Sequence, residues 1–175
     1  MYFLQNGDVS VFETNIRYVG GLLSAYALTG DVVFREKAAH VADKLTPAFK
    51  TPTGIPYALI NLWSGVSNVK YFQSGLFTNY VIFQTVKNYG WASGGSSILS
   101  EFGTLHMEFA YLSDVTGEPI YRNAVERVRS AIQSAARPRN LYPNYLNPKT
   151  GISIILFHLG TYSYIQNSFE KICIF

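Results

Sequence analysis

A ten-residue block occurs twice in this chain, and that repetition limits the folds open to it. TGDVVFREKA at 29–38 aligns with TGEPIYRNAV at 116–125. Each copy follows a stretch with apolar residues at helical spacing and leads into another. The repeated unit is therefore an αα-hairpin with Thr-Gly at its turn. Hairpins of this kind cannot bury both faces alone, so more than two copies are expected in a stable assembly.

In the first copy, VSVFETNIRYVGGLLSAYAL at 9–28 carries Phe12, Ile16, Val19, Leu23 and Tyr26. This spacing predicts a helix with one buried stripe. Asp8 and Ser10 both suit its N-cap, Thr29-Gly30 stops it, and Asp31 can cap a second helix running to Pro47. In the second copy, SILSEFGTLHMEFAYLSDV carries Phe102, Leu105, Phe109 and Leu112 on one predicted helical face. Thr116-Gly117 ends that helix, and Pro119 falls in the first turn of the next, where proline is tolerated. Residues 50–68 read as a folded connection with a small hairpin. Residues 69–87 and 152–175 are aromatic and β-branched and have no counterpart in either copy. They look foreign to the repeat, so the expected domain is 1–151 with an insertion at 69–87 and an atypical tail from 152.

Composition excludes several classes of function. With 48% apolar and 14% charged residues the chain needs a packed core and does not read as disordered. Its net charge of +3 is spread out, without a basic run or basic helix face, so no nucleic-acid partner is expected. The single cysteine, Cys173, can form no intrachain disulfide and excludes a cysteine-based zinc site. His40, His106 and His158 lack metal-ligand spacing. No apolar run approaches the roughly 20 residues that span a bilayer, and the N-terminus lacks the layout of a signal peptide.

The chemistry-bearing candidates lie on the first helix of each hairpin. Glu13, Arg17, Gly20, Gly21 and Ser24 form one polar, small-residue stripe that faces a cavity or water. Arg17 stands one turn after Glu13, the favourable order for an ion pair that tunes a carboxylate. An ordinary surface pair satisfies the same spacing. The second copy has Glu101 where the first has Glu13, and Glu108 lies two turns further on. Two carboxylates on a Phe- and Leu-rich helix suit a polar pocket or, equally, a solvated side. Paired carboxylates are what glycoside hydrolysis requires, one as acid and one as base or nucleophile. Gly90–Ser97 is glycine-rich and precedes a helix, but it lacks the Lys-Ser/Thr of a phosphate-binding loop and reads as a plain loop.

The stretches VSVFETNIRYVGGLLSAYALTGD, LTPAFKTPTGIPYALINLWSG, WASGGSSILSEFGTLHMEF and LYPNYLNPKTG closely resemble, in order, the class I α-1,2-mannosidases of glycoside hydrolase family 47. Within that family they are most similar to the Golgi subgroup. The resemblance implies an all-α fold, an incomplete (α/α)7 barrel of about two αα-hairpins with short β connections. It implies an inverting hydrolase that removes terminal α-1,2-linked mannose from high-mannose N-glycans on glycoproteins, in the lumen of the Golgi or endoplasmic reticulum. By the same resemblance Glu13 falls on the catalytic acid and Arg17 on its partner, while Glu101 and Glu108 fall on carboxylates that bind substrate. It also implies a calcium ion whose protein ligand lies outside this chain, and a membrane anchor upstream. A catalytic domain of the family is well over twice this length, so the chain is expected to be a piece, inactive alone. A non-catalytic glycan-binding protein on the same scaffold is the alternative.

Overall fold

Both copies of the repeat start on a short strand that runs directly into a helix. The computed structural model describes residues 7–62, 85–137 and 141–154. Strand β1 (Asp8–Ser10) leads into α1 (Val11–Thr14), a π-helical turn (Asn15–Val19) and α2 (Gly20–Thr29), which form one helical run. Helix α3 (Val32–Leu45) returns antiparallel to it and passes into a 3₁₀ turn at Thr46–Phe49 around Pro47. Strand β4 (Ser97–Ile98) leads into α4 (Leu99–Phe102) and α5 (His106–Thr116), and α6 (Pro119–Ser134) returns along α5.

The predicted caps are those observed. The Ser10 hydroxyl accepts from the Glu13 amide at 3.1 Å, so Ser10 is the N-cap of the first run. Asp31 accepts from the Val33 amide at 3.0 Å and starts α3. Gly30 and Gly117 close the two first-half helices at φ 71° and 78°, a left-handed geometry that strains any side chain.

The predicted stripes fare differently in the two copies. Phe102, Leu105, Phe109 and Leu112 are all buried. Phe102 ends α4, Leu105 sits in a tight turn at 103–105, and Phe109 and Leu112 lie on α5, so the turn interrupts the single helix expected there. In the first copy Val19 and Leu23 are buried, but Ile16 is 37% exposed, and Asn15 takes the inward position instead. The π turn is the cause. Its i→i+5 hydrogen bonding rotates residues off the 3.6-residue phase on which the expectation rested.

Two three-stranded antiparallel sheets tie the helix starts to the connections. In one, β1 pairs with β2 (Leu59–Asn61), which pairs with β3 (Val86–Lys87). In the other, β4 pairs with β5 (Tyr145–Leu146), which pairs with β6 (Ser153–Ile154). The small hairpin expected inside 50–68 is thus a strand shared with the start of the first helix. Val86–Lys87, the end of the segment read as foreign, is part of that sheet, and residues 69–84 lie outside the described residues. Ser153–Ile154 likewise close the second sheet, and the tail from 155 lies outside the described residues.

Helix α5 is the centre of the core, packed against α6, α3, α2 and the π turn. The Phe109 ring lies 5.2 Å from that of Phe49 and 6.1 Å from that of Tyr121. Tyr121 donates from its hydroxyl to Asp43 at 2.7 Å, linking α6 to α3. At the outer end of the first hairpin Leu28, Val32 and Val33 are exposed, as faces meant for neighbouring hairpins would be.

Candidate active site

The two glutamates singled out by the repeat occupy equivalent backbone positions. The Val11 amide donates to the Ala58 carbonyl at 2.9 Å, and the Leu99 amide donates to the Asn144 carbonyl at 2.9 Å. Each carbonyl belongs to the residue just before the strand that pairs with the start of the helix. Glu13 and Glu101 each stand two residues after these amides, in the first turn of their helices. Helix starts also concentrate unpaired N–H groups and the positive end of the backbone dipole, where negative charge is stabilised.

Glu13 pairs with the Nε of Arg17 one turn later, and both side chains are open to solvent. The carboxylate pushes the Arg17 guanidinium up, first through the hydrogen bond and then through its charge. Gly21 and Ser24 continue the same exposed side of α2, whereas Gly20 of the same stripe lies against Glu108.

Glu101 is more enclosed. Burial raises the proton affinity of its carboxyl, a hydrogen bond from the Tyr89 hydroxyl opposes that, and the negative charge of Glu13 adds to the rise. Ser10 in turn lies within hydrogen-bonding reach of Tyr89. Tyr89 thus stands close to both Ser10 and Glu101. Glu101 Oε2 is buried without a partner among the described residues.

Glu108 reaches the first helix by another route. The Asn15 Nδ2 donates to Glu108 Oε2 at 3.0 Å, and Asn15 is fully buried. Gly20 lies beside the approach, and a Cβ there would be 3.4 Å from Glu108 Cγ, an ordinary contact. Glu108 thus meets the helix that carries Glu13 and Arg17, although it touches neither directly. Tyr89 and Asn15 were not singled out in the sequence. Asn15 had a signal, a polar residue in line with Val19 and Leu23; Tyr89, twelve residues before Glu101, had none.

Among the described residues no group of three or more His, Cys, Asp or Glu side chains stands together to hold a metal ion. None of their helices is long and apolar enough to cross a membrane.

Repeated αα-hairpins, each leading helix carrying a glutamate in its first turn, place the chain among helical-hairpin repeat architectures. The chain belongs to glycosyl hydrolase family 47, whose family model matches residues 2–163. It is 59% identical over 146 residues to a Drosophila melanogaster mannosyl-oligosaccharide alpha-1,2-mannosidase IA, covering 83% of this chain and 19% of the relative. It is 52% identical over 149 residues to the human mannosyl-oligosaccharide 1,2-alpha-mannosidase IB, covering 85% and 20%. The alpha-1,2-mannosidase from Trichoderma reesei superposes with a TM-score of 0.63 at 27% identity, covering 89% of this chain and 30% of that one. The chain spans about a fifth of the length of these curated relatives. Its fold is all-α, an incomplete (α/α)7 barrel.

Proposed function

We propose that this chain is the part of an α-1,2-mannosidase that carries the acid carboxylate Glu13, and that it releases no mannose by itself. The observation that supports this most is the equivalent placement of Glu13 and Glu101 in the first turn of their helices. Inverting hydrolysis of a glycoside needs an acid to protonate the leaving oxygen and a base to activate water on the opposite face of the ring. Glu13, open to solvent and held by Arg17, is the group that can reach the leaving oxygen. Glu101 and Glu108 would bind sugar hydroxyls. Asn15 holds Glu108, and Tyr89 stands beside Glu101. The base would come from hairpins present in the longer relatives.

The substrate in this reading is terminal α-1,2-linked mannose of high-mannose N-glycans, and the longer protein works in the lumen of the Golgi or endoplasmic reticulum. Calcium would organise the sugar in the complete site. It favours six to eight oxygen ligands, and in this reading its protein ligand belongs to another hairpin of the longer protein.

The test is incubation of the purified chain with a high-mannose oligosaccharide and calcium, with mannose release read by mass spectrometry beside a Glu13→Gln control. The expected result is no release from either. The longer protein carrying this segment should release mannose, and Glu13→Gln there should abolish it. Undiminished release by that longer variant would remove the acid role from Glu13.

A further inference from the structure

Asn15 is fully buried, yet its amide is only half satisfied. The Nδ2 donates to Glu108 Oε2 at 3.0 Å, while the Oδ1 is buried without a partner among the described residues. A carboxylate only accepts, so the amide cannot turn round without setting oxygen against oxygen. A buried carbonyl that lacks a donor lowers stability, and a leucine of similar shape would avoid that penalty. The fold therefore keeps an unfavourable group where an apolar one would pack, the pattern expected of a residue that serves a site and not the core alone.

The backbone departs from regular helix at the same place. The π turn Asn15–Val19 is closed by the Gly20 amide, which donates to the Asn15 carbonyl. Both ends of that bond border Glu108. Asn15 holds Oε2, and Gly20 lies beside the other oxygen, where a Cβ would stand 3.6 Å from Oε1. Glycine leaves that side of Oε1 uncovered, and among the described residues Oε1 accepts no hydrogen bond. Two positions after Asn15, Arg17 pairs with Glu13. One turn of backbone thus places a donor on a carboxylate of each hairpin.

Resting on the glycosidase reading above, we infer that Asn15 is a positioning residue for the glycan. It fixes Glu108 by one oxygen so that the other meets a sugar hydroxyl in a single orientation, and the π turn is the device that brings it there. A free glutamate side chain samples several rotamers and gives up that freedom when a ligand arrives. Held at Oε2, Glu108 has given it up beforehand. A hydroxyl donating to a charged acceptor makes a short, directional bond, so the bond weakens when the acceptor is loosely placed. The role is one of binding. Glu108 neither gives nor takes a proton in this reading, so loss of Asn15 weakens substrate affinity and leaves the chemical step alone.

The test is steady-state mannose release from a high-mannose oligosaccharide by the longer protein carrying Asn15→Leu, which keeps the shape of the side chain and removes its donor. The expected result is a KM about tenfold higher with kcat within about threefold of the parent. Because Asn15 acts through Glu108, the same substitution made in a Glu108→Gln background should change KM by less than about twofold. Should Asn15→Leu not fold, Asn15→Ser, whose hydroxyl is too short to bridge the same gap, gives the same two readings. An unchanged KM with a lowered melting midpoint would make Asn15 a fold contact and overturn the proposal. So would a fall in kcat at unchanged KM, or a tenfold rise in KM that persists in the Glu108→Gln background. Any of these leaves the glycosidase reading standing, since that reading is judged separately by Glu13→Gln.

Discussion

The two hairpins present the same backbone junction with opposite electrostatics. In the first, the residue four after the glutamate is Arg17, and the pair lies open to water. In the second it is Leu105, which is buried, and Glu101 has a tyrosine hydroxyl where Glu13 has a cation. The backbones differ by one residue. Glu101 follows Glu13 by 88 positions (101 minus 13), whereas Gly117 follows Gly30 by only 87 (117 minus 30). The π turn in the first hairpin takes up the additional residue, which turns Ile16 outward and Asn15 inward. Position 103, opposite Asn15 in this alignment, is a glycine. Duplication has kept the attachment of the glutamate to the sheet and changed what surrounds it.

The largest expected effect tests whether the second hairpin anchors the pair. Phe109 is fully buried and in ring contact with Phe49 and Tyr121, each from another element, whereas Leu23 is the inward residue of an α2 that leaves much of its surface open. Phe109→Ala should cost about 3–5 kcal/mol in denaturant unfolding, and Leu23→Ala about 1 kcal/mol less. Equal costs would mean that the two hairpins share the core evenly.

Next in size is the link between the hairpins. Asn15→Ala leaves a half-buried Glu108 without its donor and should cost about 1–3 kcal/mol. A double-mutant cycle with Glu108→Gln should show coupling of about 1 kcal/mol. Additive effects would show that the contact holds nothing together.

A smaller effect follows from the proton affinities. Burial raises the Glu101 pKa above its ordinary 4.5, so the folded state binds a proton more tightly than the unfolded chain. Its contribution to stability is fully present below about 4.5 and is lost as pH rises through the folded value. Glu101→Gln should remove that decline. His106 runs the other way. Burial holds its pKa below 6.5, the Glu126 carboxylate opposes this, and the charges of Arg129 and Arg122 reinforce it. Stability is then present above about 6.5 and is lost as pH falls through the folded value. His106→Gln should flatten the acid side. Melting midpoints across pH 4 to 8 for the two variants separate the windows, and a Glu101→Gln profile parallel to the parent would count against the enclosed environment described for that carboxyl.

What could be read from the sequence was what depends on local pattern. The caps at Ser10 and Asp31, the glycine stops at 30 and 117, and the face from Phe102 to Leu112 all follow from spacing and residue type. So did the pairing of Glu13 with Arg17 and the correspondence of Glu101 with Glu13. The inward turn of Asn15 had only the weak signal of its alignment with Val19 and Leu23, because a π turn has no residue signature and moves the phase of everything around it. Tyr89 was invisible for another reason. It reaches Glu101 through a loop whose path is set by Asn88 bonding to residues 30 positions earlier and seven positions later, and periodicity does not encode contacts of that kind.

The smallest expected effect on stability belongs to the feature that looked most functional. Arg17 is exposed, and ion pairs in that setting are screened by water and pay in side-chain entropy. Arg17→Met should therefore leave the melting midpoint of this chain unmoved, in contrast to Asn15→Ala one helical face away. If the pair serves only the surface, the same substitution should also be silent in the longer protein. If it positions the acid, mannose release there should fall by about 10²-fold, and Arg17→Lys should restore little of it, because an ammonium lacks the planar fork that fixes a carboxylate in orientation. A fall in kcat with KM unchanged adds a readout that a purely structural role would not give. A fall in stability as large as that from Asn15→Ala, with the rate unchanged, would reverse the comparison and make Arg17 a fold residue.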